Sequence, residues 1–120
     1  MRLLLLPLLL CGLLGLTAAC AEDASEVQRL IEKRGAAVLD VRTPDEYAAG
    51  HVEGAVNIDL AADDFRDRVA QLPRGRYYVV YCESGERSTQ AIEVMRGLGF
   101  GSVVNGGGYD SLVDLGIPTE

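Results

Sequence analysis

A single cysteine followed by a glycine, an arginine and a serine is the part of this sequence best suited to chemistry. Residues 81–88 read YCESGERS, with Cys82, Gly85, Arg87 and Ser88 in that order. A thiolate is a nucleophile, and its pKa falls beside cations and helix N-termini. A glycine lets backbone N–H groups converge on an anion, and an arginine supplies a planar set of donors. This combination favours attack of a thiolate on a tetrahedral oxyanion such as thiosulfate, a phosphate ester or arsenate.

A free cysteine at the end of an apolar run can also be an inert core residue, which is its commonest role. The residues after Cys82 argue against that role, because Gly85 and Arg87 follow and a helix pattern restarts near Ser88. The unpaired N–H groups and the positive dipole end of such a helix favour an anion beside it. We therefore expect the backbone after Cys82 to form an anion-binding cup.

The rest of the chain alternates short strand and helix patterns. Strands are predicted at residues 36–41, 55–58, 76–81 and 102–105. Helices are predicted to begin at a Ser25/Gln28 capping box, at Thr43 before Pro44, near Phe65, at Ser88 and after Gly108. Strands about 20 residues apart with helices between them indicate crossover connections and a parallel sheet. Ligands bind beyond the carboxyl ends of such strands, and Cys82 directly follows the third one.

The first 21 residues have the pattern of a secretory signal peptide. Arg2 precedes an apolar stretch over residues 3–16, and small residues follow. The stretch falls short of the roughly 20 residues that a spanning helix needs. We predict a signal peptide at 1–21 and a mature domain at 22–120. Cleavage after Ala21 is favoured over lipidation of Cys20, because bacterial lipoboxes usually carry leucine where Thr17 stands.

Charge and cysteine content exclude several classes of partner. Eleven basic and eighteen acidic residues give a formal net charge of −7, which argues against nucleic acid and anionic lipid. Membrane attachment is expected only through a lipidated Cys20. Cys11 lies inside the predicted signal, so the mature domain has no cysteine pair for an internal disulfide. One histidine and one cysteine do not make a metal site. We expect a monomer without a metal or cofactor.

Two segments together resemble the single-domain rhodaneses, which are thiosulfate sulfurtransferases. VLDVRTPDEYAAGHVEGAVNI, residues 38–58, resembles the family's D-x-R…E-[FY]…G-H-[IV]-x-G-A stretch. YCESGERSTQA, residues 81–91, resembles its active-site loop of Cys, two residues, Gly, one residue, Arg and Ser. The resemblance spans roughly residues 25–116 and implies a three-layer α/β/α domain. Its central parallel sheet would have four or five strands, the fifth lying near residues 22–25. With the export signal, the chain resembles the small periplasmic rhodaneses of bacteria.

The resemblance also implies a role for each residue of the loop. The Cys82 thiolate would take the outer sulfur of thiosulfate, release sulfite and pass the sulfur from a persulfide to cyanide or a thiol. The donor would be a small anion or a persulfide, cradled by Glu83, Ser84, Gly85, Glu86, Arg87 and Ser88, with Arg87 binding its oxyanion. A non-catalytic persulfide carrier or redox-responsive thiol module is the alternative, and a phosphatase or arsenate reductase is a third.

Four further residues match recurrent positions of the family, namely Asp40, Arg42, Glu46 and His51. We expect all four to support the site rather than to react. Asp40 and Arg42 alternate at a strand end, and Glu46 is expected to pair with Arg42. His51 is expected to hold the turn at Gly50.

Loop length separates the enzymatic alternatives. Phosphatases and arsenate reductases that are similar to rhodaneses have five residues between the cysteine and the arginine of this loop. In this sequence four residues separate Cys82 from Arg87. The shorter loop favours a cup around one sulfur atom. Glu83 and Glu86 depart from the family pattern, so either both face solvent or the donor is a neutral or cationic persulfide. Asn105 replaces an apolar residue of the family, which we interpret as altered packing, and the glycines at 106–108 predict a turn.

Overall fold

The computed structural model describes residues 23–120, so the predicted signal peptide and its exit site lie outside the described residues. The helices are α1 (Ala24–Lys33), α2 (Pro44–Ala49), α3 (Phe65–Ala70), α4 (Glu86–Gly97) and α5 (Tyr109–Asp114). The strands are β1 (Ala37–Asp40), β2 (Val56–Asn57), β3 (Tyr78–Cys82) and β4 (Val103–Gly108). Within 23–120, no helix combines the length and the apolar character that crossing a membrane would require.

The four strands form one parallel sheet in the order β2-β1-β3-β4, with helices on both faces. Side chains alternate along the fully buried strand β3, because successive residues of a strand point to opposite faces. Val79 and Tyr81 pack toward α1 and α5, whereas Val80 and Cys82 pack toward α3 and α4. The predicted three-layer α/β/α architecture with a parallel sheet is confirmed.

Helix α1 begins earlier than the sequence pattern predicts. Asp23 is its N-cap, and the Asp23 carboxylate accepts a hydrogen bond of 2.9 Å from the backbone N–H of Ser25. The predicted Ser25/Gln28 capping box is therefore wrong, since Ser25 lies inside the first turn. Residues 24 and 25 are helical, so this part of the predicted fifth strand is wrong as well. A carboxylate that caps the N–H groups of the next residues favours the helix over an extended chain.

Strand β4 includes the three glycines at 106–108, where the sequence predicts a turn. Val80 pairs with Asn105 but Tyr81 pairs with Gly107, which leaves Gly106 as an extra residue in a bulge. A Cβ atom at Gly106 would lie 2.8 Å from Cγ1 of Val79. Gly106 and Gly108 are needed because the strand passes too close to its neighbours for side chains there, and Gly107 has a left-handed φ of 78°. The predicted turn is wrong for this reason.

Replacing Gly108 with alanine is expected to destabilise the domain. The added Cβ would lie 2.3 Å from the backbone oxygen of Glu83, and backbone cannot swing aside as a side chain can. Overpacking of this kind costs about 1–3 kcal/mol in free energy of unfolding, which urea denaturation measures. Gly101→Ala is the control, because its Cβ would have nothing within 4 Å and should change stability by less than about 0.5 kcal/mol. Equal losses in the two variants would contradict the packing argument.

Candidate active site

Cys82 is the last residue of β3, and its side chain is fully buried beneath the loop that leads into α4. Its Sγ accepts a hydrogen bond of 2.9 Å from the backbone N–H of Gly85 and lies 3.6 Å from Oγ of Ser88. Helix α4 begins at Glu86, two residues before the predicted start. Arg87 and Ser88 therefore belong to its first turn, directly beside the sulfur.

Gly85 is the N-cap of α4 and has a φ of 93°. This left-handed conformation is costly for any residue with a Cβ. It turns the Gly85 N–H toward the sulfur while its carbonyl accepts from the N–H and hydroxyl of Thr89. The glycine thus connects the end of a strand to the start of a helix with the sulfur inside the turn.

The surroundings of Cys82 lower the pKa of its thiol. Burial raises that pKa, but the N–H groups of Ser88, Ser84 and Gly85, together with the Ser88 hydroxyl when its proton turns to the sulfur, lower it by more. These donors stabilise the thiolate because they place positive charge around the sulfur. The direction agrees with the anion-binding cup expected from the sequence.

Arg87 makes a two-pronged ion pair with Glu46 of α2. Its Nη1 and Nη2 donate to the two carboxylate oxygens at 2.7 and 3.0 Å. The predicted pairing of Glu46 with Arg42 is therefore wrong. Glu46 also accepts from the backbone N–H of Thr43 in a capping box at the predicted start of this helix, so its carboxylate is fixed at the start of α2 and faces α4. Mainly because Arg87 donates to it, the pKa of Glu46 is lowered to about 2.

Arg42 is held from below by Asp40, which is buried at the end of β1. Its Nη2 donates to Oδ2 of Asp40 at 2.8 Å, and its backbone N–H donates to Oδ1 at 2.9 Å. The hydroxyl of Tyr81 donates to the same carboxylate at 2.5 Å. The guanidinium lies over the rings of Tyr81 and Tyr109. These contacts fix its direction.

The remaining donors of Arg42 reach the rim of the cup, which consists of the side chains of Arg42, Glu46, Glu83 and Arg87. Nη2 donates to the carbonyl of Gly50 at 2.6 Å, and Nη1 donates to the Glu83 carboxylate at 2.5 Å. Glu83 is still 45% exposed at its side chain, so it is neither free in solvent nor buried beside the sulfur. Glu86 is exposed and has no ion pair or hydrogen bond from its side chain among residues 23–120. Only Glu86 therefore fits the solvent-facing expectation.

The contacts of His51 are with Tyr47 and Glu120 and not with the loop after Cys82. Its ring stacks on Tyr47 at 3.6 Å between centroids, and its Nδ1 is 2.8 Å from the carbonyl of Tyr47. Its backbone exchanges two hydrogen bonds with Glu120. These contacts place it at the last turn of α2, next to Gly50, where it supports the segment that Arg42 also holds.

A cavity of about 260 Å³ lies over the rim. Its walls are the side chains of Arg42, Glu46, Glu83 and Tyr109 together with Ala49 and Gly50. One carboxylate of each ion pair, Glu46 and Glu83, therefore lines the same space. Because the Cys82 side chain is fully buried, a donor contacts its sulfur only after the residues that cover it move.

Asn105 belongs to the site, although its amide was interpreted as altered packing. Its Oδ1 lies 2.7 Å from Oγ of Ser88, and its Nδ2 donates to Oγ1 of Thr89 at 3.0 Å. The signal that could have found it is a polar residue at an apolar position of the strand beside Cys82. That strand ends at the same edge of the sheet, so an amide there reaches the first turn of α4.

Residues 23–114 match the protein family described as Rhodanese-like domain. The chain belongs to the rhodanese family. Thiosulfate sulfurtransferase PspE of Escherichia coli is 38% identical to it over 80 residues, covering 67% of this chain and 74% of the relative. A sulfurtransferase of Allochromatium vinosum is 34% identical over 98 residues, covering 81% and 90%. The rhodanese domain described here is thus related over most of its length to proteins that transfer sulfur.

Solved rhodanese structures have the same fold. A rhodanese-related protein from Thermoplasma volcanium superposes with a TM-score of 0.71 at 30% identity, covering 84% of this chain and 97% of that one. A structure of rhodanese with anions from E. coli gives a TM-score of 0.60 at 33% identity, covering 70% and 95%. Coverage of nearly all of both solved chains indicates that this rhodanese domain shares their fold over almost their whole length.

Replacing Glu46 with glutamine is expected to weaken the rhodanese domain at neutral pH and not in acid. A carboxylate whose pKa falls on folding stabilises the fold above its unfolded pKa, near 4.5, and loses that contribution as the pH falls toward about 2. Glutamine keeps the capping box but not the charge. Near pH 7 we expect the free energy of unfolding of Glu46→Gln to be about 1 kcal/mol below that of the wild type. This difference should become smaller below about pH 4.5. Urea denaturation across this range measures it.

Glu93→Gln on the exposed face of α4 is the matched control, since Glu93 is in no ion pair among the described residues. It should have little effect at any pH. A loss in Glu46→Gln that stays constant from neutral to acid pH would mean that the ion pair with Arg87 is not its cause.

Proposed function

We propose that this rhodanese domain transfers sulfane sulfur through a persulfide on Cys82. The observation that carries the proposal is a buried thiol whose sulfur accepts from the Gly85 N–H at the start of α4, with its pKa lowered. A nucleophile of this kind is activated without a neighbouring general base. The relatives named as sulfurtransferases support the same reaction class.

The reaction balances as two displacements on sulfur. The Cys82 thiolate attacks the outer sulfur of thiosulfate, the S–S bond breaks, and sulfite leaves with its electron pair. Cyanide or an acceptor thiolate then attacks the outer sulfur of the persulfide, and its S–S bond breaks to return the Cys82 thiolate. Backbone donors already aimed at the sulfur stabilise the charge in both steps without reorganisation.

The rim favours a donor of low charge. Glu46 occupies both Nη atoms of Arg87, and Glu83 occupies Nη1 of Arg42. A dianion such as thiosulfate has to compete with these carboxylates for the guanidinium groups, whereas a neutral organic persulfide does not. The same pairing favours the second candidate, a persulfide carrier that turns over free thiosulfate slowly and passes its sulfur to a thiol acceptor.

Sulfur transfer from thiosulfate to cyanide by the purified protein tests the proposal. We expect thiocyanate to form with the wild type and to fall to background in Cys82→Ser. Mass spectrometry of the Cys82 peptide should show one added sulfur atom after incubation with the donor. A stable persulfide without turnover would support the carrier. Cleavage of p-nitrophenyl phosphate in a parallel assay would contradict both.

Replacing Glu83 with glutamine is expected to lower the KM for thiosulfate. The change removes a negative charge and frees Nη1 of Arg42 for the donor. At about 1 kcal/mol for a partly exposed ion pair, KM should fall about fivefold. KM for an organic persulfide should change little, because that donor carries no dianionic charge.

Glu86→Gln is the control with the same change of charge in the same loop. Glu86 has no partner among the described residues and is exposed, so its effect on KM should be smaller. Equal effects of the two substitutions would show that overall charge, and not the pairing with Arg42, controls donor binding.

A further inference from the structure

The hydroxyl of Ser88 has one proton and three neighbours that could share it. Its Oγ lies 2.7 Å from Oδ1 of Asn105, 2.9 Å from the carbonyl of Gly85 and 3.6 Å from Sγ of Cys82. Ser88 is fully buried, so water does not supply an alternative partner. The direction of this one proton therefore depends on which acceptor holds it.

The orientation of the Asn105 amide is fixed by its other contacts. The backbone N–H of Gly107 donates to Oδ1 at 2.8 Å, and a backbone N–H can only donate. Nδ2 donates to Oγ1 of Thr89 at 3.0 Å and to the carbonyl of Gly85 at 3.3 Å. Oδ1, and not Nδ2, thus faces Ser88, and only the hydroxyl can supply the proton between them.

With its proton on Asn105, the Ser88 hydroxyl presents lone pairs to the sulfur. This arrangement suits a thiol, whose S–H donates to Oγ, and opposes a thiolate, which needs a donor. The thiolate receives the Ser88 proton only after the O–H turns away from Asn105 and gives up the shorter bond. Asn105 and the ionised sulfur thus compete for the same proton.

We infer that Asn105 is a positioning residue that acts on the nucleophile through Ser88, because its side-chain oxygen draws the hydroxyl proton away from the Cys82 sulfur. The inference deepens the proposed function, since it assumes that Cys82 is the reacting group, but it does not depend on the sulfur donor. Asn105 does not touch the reacting sulfur. Its effect is to keep a larger share of Cys82 as thiol at a given pH.

Asn105 is uncharged, so a neutral substitution at this position leaves the charged side chains near Cys82 as they are. The elements around Cys82 carry Arg87 and Glu86 on α4, Glu83 in the loop, Asp40 and Arg42 at the end of β1, and Glu46 on α2. The other charged side chains of these packed helices are exposed, namely Glu93 and Arg96 on α4 and Arg66, Asp67 and Arg68 on α3. Strand β4 carries no charged side chain. A neutral substitution at Asn105 therefore changes the hydrogen bond to Ser88 without changing the charges that face the thiol.

The pH dependence of Cys82 alkylation by iodoacetamide tests the inference, with the modified peptide quantified by mass spectrometry. In Asn105→Leu the Ser88 hydroxyl loses the shorter of its two oxygen acceptors, so only the Gly85 carbonyl still competes with the thiolate for the proton. The alkylation rate should then rise about three- to tenfold in the acidic limb. Asn105→Asp keeps the acceptor and adds a negative charge, so its profile should move toward higher pH. An unchanged profile in Asn105→Leu, or a shift to higher pH, would overturn the inference.

Two further variants separate this effect from a loosened loop. In a Ser88→Ala background, Asn105→Leu should no longer move the profile, because the shared proton is gone. Thr89→Val removes another partner of Asn105 and should leave the profile in place. A shift of the same size in either case would show that Asn105 acts only by holding the structure together. Alkylation needs no sulfur donor, so a failure of thiosulfate turnover leaves this test intact.

Discussion

A carboxylate without access to water sits at the base of the site, and the rim depends on how its charge is compensated. Asp40 is fully buried, and a buried charge is tolerated only when partners satisfy it. Arg42 and the Tyr81 hydroxyl do so. Tyr81 lies on β3 one residue before Cys82, so the same bonds join the two central strands. The other N–H donors of Arg42 bind the Gly50 carbonyl and the Glu83 carboxylate. The buried ion pair between Arg42 and Asp40 therefore supports the rim from beneath.

This arrangement explains how an acidic residue is accommodated next to Cys82. A carboxylate free to point inward would repel an anionic donor by several kcal/mol at short range. Glu83 instead provides the outer partner of an arginine whose inner partner is Asp40. Arg87 and Glu46 form a second pair, and its carboxylate lines the same cavity. The rim thus carries both signs of charge in contact, so a dianion that entered it would compete with the ion pairs already there.

The sequence predicts those features that depend on local pattern. Cys82 at the carboxyl end of a buried strand, the parallel sheet and the capping box at Thr43 all follow from residues close together in the chain. The ion-pair partners of charged residues cannot be predicted from such local patterns. Glu46 is four residues from Arg42 and forty-one from Arg87, yet it pairs with Arg87, because Arg42 is already held by Asp40 from below. Gly106 and Gly108 of β4 mislead for a similar reason, since the need for them lies in Val79 and Glu83, which belong to a neighbouring segment.

The donors around the sulfur and the groups around the cavity differ in how substitution can alter them. The cup is built mainly of backbone N–H groups at the start of α4, which side-chain changes leave in place as long as Gly85 keeps its conformation. The rim is built of side chains, so substitution of a residue such as Glu83 can change its charge without altering the loop around Cys82. Ser88 is the point where a side chain enters the cup, and Asn105 reaches it from another strand. Reactivity of the thiol can therefore be adjusted from β4 without altering either the loop or the rim.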